Sequence, residues 1–117
     1  IANKLTGILD FGISYIGPFL IDVGKTIMLN CCPNKQLNAK LTNTFLQAYQ
    51  KQHRFTHLEK LNLRRAILFG IYATIYVDLY HIPLGRVPHN FPTYWINKFL
   101  PVARRLETMS LKALGVK

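Results

Sequence analysis

The sequence predicts a mainly α-helical domain that opens on a small β element. Three features carry that expectation. Apolar residues recur at helical spacing in several stretches, Thr56-His57-Leu58-Glu59 has the pattern of a capping box, and a short apolar run from Leu5 to Phe11 is stopped by Gly12. Half of the 117 residues are hydrophobic, enough to bury one core and to argue against disorder, so residues 1–117 are expected to be a single domain.

The elements follow in order. Leu5 to Phe11 is short, apolar and glycine-bounded, which predicts a strand, so residues 1–12 hold the β element. It delivers Asp10 to a Phe-Gly break, and a strand that ends on an acid and then turns is one way to hold a magnesium ion. Gly17-Pro18 breaks the chain again, and Asp22 is placed to cap a helix from Val23 to Leu29 that Pro33 ends. A second helix is expected from Gln36 to Gln52, with Leu37, Leu41, Phe45, Ala48 and Tyr49 on its inner face. A third runs from about His57 to Tyr80. Its second half is apolar nearly all round, which predicts a central position with Tyr72, Tyr76 and Tyr80 in the core, and residues 18–82 form the helical centre. Three prolines make 83–92 a loop, and Thr93 to Leu100 and Val102 to Leu114 make a last helical arm kinked or split at Pro101.

Fifteen Lys and Arg against five acids give a formal net charge of +10, which suggests an anionic partner. The basic residues are dispersed, so a solvated surface is the competing explanation. Cys31 and Cys32 are adjacent and unsuited to bridging one another, and no zinc-type Cys/His spacing exists, which fits a reducing, cytoplasmic setting. The opening Ile1-Ala2-Asn3-Lys4 lacks the pattern of a secretory leader. The longest apolar stretch, Ala66 to Val77, is shorter than the roughly 20 residues a bilayer span needs, so no transmembrane segment is expected. Neither an elbow serine nor a paired carboxylate supports hydrolase or glycosidase chemistry.

Gly7-Ile8-Leu9-Asp10-Phe11-Gly12, then Gly17-Pro18, then Leu20-Ile21-Asp22-Val23 resemble the C-terminal lobe of the aminoglycoside phosphotransferase and homoserine kinase-type family. Phe45-Leu46-Gln47-Ala48-Tyr49, the Thr56 to Glu59 turn and the apolar Ala66 to Tyr80 helix extend the likeness to residue 82. The resemblance implies the helical C-lobe of a protein-kinase-like fold, with Mg2+ and ATP as cofactors and a small-molecule hydroxyl as acceptor. It implies that Asp10 is the metal ligand and that Asp22 is structural or supports the site from behind. Arg64, Arg65 and His81 are candidates for binding the substrate, against the plainer alternative of solvated charges and a helix-end histidine.

The family's His-x-Asp catalytic loop and glycine-rich phosphate loop are not in this sequence, so no catalytic residue is assigned and the segment alone is not expected to be active. The chain is accordingly expected to be a fragment whose partners are the N-lobe and catalytic loop of a parent kinase. The acceptor would be a homoserine-like amino alcohol, a sugar or an aminoglycoside, the last disfavoured by the scarcity of acids. The rival class is a non-catalytic basic helical module that binds nucleic acid or an anionic surface. Nucleic acid is disfavoured by the lack of helix-turn-helix, RNP or zinc signatures.

Overall fold

The computed structural model describes residues 6–7, 14, 16–86 and 93–110. The four described α-helices are α1 (Phe19–Asn30), α2 (Ala39–Gln50), α3 (His57–Tyr76) and α4 (Tyr94–Thr108). A 3-10 turn at Pro33–Lys35 joins α1 to α2, and α3 runs on into a π-helical turn at Val77–His81. The fold is therefore mainly helical, as the sequence predicts. No strand occurs among the described residues: of the strand expected from Leu5 to Phe11, Thr6 and Gly7 are described and have no regular structure, and the rest, Asp10 included, lies outside them.

The organising contact is between α1 and α3, with α4 laid against α3 from another side. It is close because Gly24 of α1 lies directly on the backbone of α3. A Cβ at position 24 would meet the carbonyl carbon and oxygen of Ala66 at 2.5 Å and the amide nitrogen of Ile67 at 2.8 Å. Around that contact Val23, Ile27 and Met28 pack with Leu63, Ile67 and Ile71, and α4 contributes Phe99, Val102 and Leu106. Each of the larger side chains contributes about 1.5–3 kcal/mol by leaving water.

Local signals explain most boundaries. Thr56 and Glu59 form the expected capping box: the Glu59 amide donates to Thr56 Oγ1 at 3.2 Å and the Thr56 amide donates to Glu59 Oε2 at 2.7 Å. Those bonds from the Thr56 backbone and hydroxyl hold the Glu59 carboxyl below its ordinary range. Asn38 caps α2 by accepting from the Leu41 amide at 3.0 Å. Helix α1 closes at Cys31, just before Pro33.

Four expectations need correction. Helix α1 begins at Phe19, not Val23, so Asp22 stands inside its first turn and Pro18 occupies the cap position without a side-chain bond. The inner face of α2 carries Thr42 and Leu46, with Phe45 and Tyr49 half-buried, while Leu41 and Ala48 are exposed. Thr42 can be buried because its hydroxyl donates to the Asn38 carbonyl at 2.9 Å, which removes the cost of an unpaired polar group. Helix α4 is not split at Pro101 but runs through it as one element, held by the buried Phe99, Val102, Ala103 and Leu106 on either side of the proline, and it ends at Thr108, short of the expected Leu114, where Met109 turns extended. Tyr72, Tyr76 and Tyr80 are exposed, not core: Tyr76 shares an outward face of α3 with Leu58, Leu61 and Phe69, Tyr72 donates to the Glu107 carboxylate of α4, and Tyr80 lies in the π-helical turn.

Cys31 and Cys32 are free and buried. Burial raises both thiols, and Cys32 is pushed up to about 12, helped by Cys31 and opposed by Lys98.

Two outcomes follow from this packing. Replacing Gly24 with Ala forces a Cβ into backbone that cannot yield, so the urea midpoint should fall by the equivalent of about 3 kcal/mol. A wild-type midpoint would contradict the contact. For Cys32 the folded value lies above the unfolded one, so its contribution is complete below pH 9.0 and is lost as pH climbs toward about 12. Urea midpoints should hold between pH 7 and 8 and decline above 9, and Cys32→Ser should make that decline shallower.

Candidate functional site

The residues with expected roles divide between the two ends of the molecule. Asp10, the expected metal ligand, lies outside the described residues. Asp22 is exposed in the first turn of α1, where a carboxylate is favoured by the positive end of the helix dipole. That end of α1 meets the α2–α3 connection. The Phe19 ring stands edge-on to His53 with centroids 4.8 Å apart, and His53 also faces Tyr49 and Phe55. His53 Nε2 is buried without a hydrogen-bond partner, and Glu59 Oε1 lies 3.6 Å from it, too far for a hydrogen bond. Burial raises the Tyr49 hydroxyl above its ordinary value, and the charges of Glu59 and Asp22 add to the effect. Asp22, Glu59, His53 and Tyr49 thus form one polar and aromatic corner beside the start of α1.

Arg64, Arg65 and His81 do not join that corner or one another. The Arg64 guanidinium donates through Nη1 to the Met109 carbonyl at 2.8 Å and pins the end of α4 to α3. Arg65 is exposed and donates to Asn62 Oδ1 at 3.0 Å. His81 closes the π-helical turn, edge-on to Tyr76 and Tyr80. Seventeen residues of nearly continuous helix separate Arg64 from His81, about 25 Å at the helical rise. A single small substrate cannot bridge that distance.

The far end of α3 holds a residue with no sequence-level signal. Asp78 is 3% exposed, and its Oδ2 accepts from the Ile96 amide at 2.9 Å. Ile96 is the third residue of α4, whose own cap position, Thr93, makes no side-chain capping bond. Asp78 therefore caps α4 from another helix, satisfying an amide that helix geometry leaves unpaired. Its Oδ1 is buried without a hydrogen-bond partner. The carboxylate sits in the π-helical turn, where the wider backbone winding changes the angular position of the residues that follow α3.

A divalent ion needs several oxygen ligands at fixed positions. No group of three or more His, Cys, Asp or Glu able to hold a metal occurs among the described residues, so they do not by themselves make a magnesium site. No helix among the described residues is long and apolar enough to cross a membrane.

Compared with protein-family models, characterised proteins and solved structures, the chain matches none.

The capping role of Asp78 has a direct check. Asp78→Ala removes the bond to Ile96 and should lower stability by about 2 kcal/mol, with the exchange of α4 amides accelerated most. Asp78→Asn keeps an acceptor oxygen and should lose less. Equal stability in Asp78→Ala and wild type would remove the capping role.

Proposed function

We propose that this chain is the C-terminal helical lobe of an ATP-dependent phosphotransferase of the aminoglycoside phosphotransferase and homoserine kinase type, acting on a hydroxyl of a small molecule. One observation carries this reading. The sequence features fall on the helices in the order the resemblance implies. Gly17-Pro18 precedes α1, Asp22 lies in the first turn of α1, Phe45 to Tyr49 lies on α2, and the Thr56–Glu59 box opens the long α3. The exposed apolar face of α3 adds support, since such a face in a lobe of a larger kinase is available for burial against the rest of the protein.

In this reading Asp10, reached by the chain just before α1, presents its carboxylate to the magnesium that accompanies ATP. Asp22 is a structural acid at the start of α1, and the remaining metal ligands and the catalytic base come from elsewhere in the parent protein. The parent acts in the cytoplasm, where Cys31 and Cys32 stay reduced. Arg64 and Arg65 on one side and His81 on the other lie too far apart along α3 and the turn that follows it to hold one small acceptor together.

A second reading has its own support. Fifteen Lys and Arg against five acids leave the chain with a formal net charge of +10. A non-catalytic basic module that binds nucleic acid or an anionic surface would use such a charge.

The deciding assay is Mg-ATP-dependent phosphoryl transfer by the parent protein to amino alcohols and sugars. Asp10→Ala should lower kcat by about a hundredfold or more without unfolding the protein. Undiminished transfer in that variant would overturn the kinase assignment.

A further inference from the structure

The strongest unassigned feature is an open hollow of about 460 Å³ between α4 and the 3-10 turn at Pro33–Lys35. Its floor is apolar, from Ile96, Leu100 and Pro101, and its rim carries Lys35, Arg104 and Arg105 with the Asn97 amide beside them. No acid lines it. Three cations from segments about 70 residues apart in sequence face one space, and none of them has an ion-pair partner among the described residues.

Cations that line one space without a counter-charge among them favour an anion there. The backbone that carries Lys35 is strained. Asn34 and Lys35 both adopt left-handed conformations, with φ of 52° and 59°, which a side chain other than glycine's takes up at a cost. The turn is clamped there by the Gln36 amide donating to the Pro33 carbonyl at 3.1 Å and the Asn38 amide donating to the Cys31 carbonyl at 2.8 Å. The backbone at Lys35 is thereby held beside α4, and its exposed side chain lines the hollow.

We infer that this hollow is a binding site for a phosphate-bearing ligand with at least two negative charges. Guanidinium groups match phosphate oxygens in forked pairs, and Lys35 adds a compact charge from the opposite wall. The apolar floor of Ile96, Leu100 and Pro101 suits an ester carbon chain or ring attached to the phosphate. A free phosphorylated metabolite and the headgroup of a phosphomonoester lipid share this chemistry. The site is independent of Asp10 and does not depend on the kinase assignment.

The test uses inorganic triphosphate as the soluble probe and phosphatidylcholine vesicles containing phosphatidic acid as the membrane probe. Trp95 next to Ile96 reports binding by fluorescence, and calorimetry confirms it. Saturable triphosphate binding should weaken at least about tenfold in the Arg104→Ala/Arg105→Ala variant and also weaken in Lys35→Gln. Removing the same amount of charge elsewhere, with Lys40→Ala/Arg65→Ala, should change affinity less than about twofold. All of these residues are exposed, so the variants should keep the wild-type circular dichroism. Vesicle binding with the same dependence on Lys35, Arg104 and Arg105 supports the site and identifies a lipid headgroup as a source. Two results overturn the proposal: no saturable binding of either probe, or equal weakening by both double variants, which would mean that net charge alone attracts the anion.

Discussion

The close approach of α1 to α3 at Gly24 is the constraint on which the rest depends. With a hydrogen in place of a side chain, the two backbones meet at a distance that no other residue permits. Val23, Ile27 and Met28 are thereby brought onto Leu63, Ile67 and Ile71, and the apolar area covered there supplies much of the driving force for folding. Helix α2 is more peripheral, joined through Leu46 and the aromatic residues near its end. The order of importance among the helices follows from how closely each can approach α3.

That frame also separates the places where chemistry is concentrated. The start of α1 meets the α2–α3 connection in a corner of carboxylate, imidazole and aromatic rings, close in sequence to Asp10. At the other end, the π-helical turn carries Asp78 to the first turn of α4 and orients that helix. Arg64 ties the opposite end of α4 back to α3 through the Met109 carbonyl. Helix α4 is thus anchored at both ends, and the hollow that it shares with the Pro33–Lys35 turn has a rigid wall.

Much of the fold was legible residue by residue. The capping box at Thr56–Glu59 marked the start of α3 because both of its bonds lie within four residues. Pro33 and the cysteines before it marked the end of α1 for the same local reason. The sequence pattern sets the face of α2 one residue from the observed one, because a threonine counts as polar unless its hydroxyl bonds to its own helix, as Thr42 does. Periodicity puts Tyr72, Tyr76 and Tyr80 in the core because the second half of the helical stretch is apolar nearly all round. Periodicity does not say which of two apolar faces a neighbour covers. Of the candidate site, the sequence picked out Asp22 and its position near a helix start. It gave no sign of Asp78 or of the meeting of Lys35 with Arg104 and Arg105, since these join segments far apart in the chain.

By itself the amino-acid sequence determined the helical class, the approximate extents of the four helices, the two free thiols and the excess of positive charge. All of these depend on composition or on residues within a few positions of one another, where backbone geometry dictates what can interact. Only the tertiary structure decided which face of α3 is covered, which acid caps α4, and which cations share one hollow. Those outcomes depend on the path of the backbone between distant segments. That path is set by close packing at Gly24, whose effect on the positions of α1 and α3 cannot be read from its neighbours in sequence.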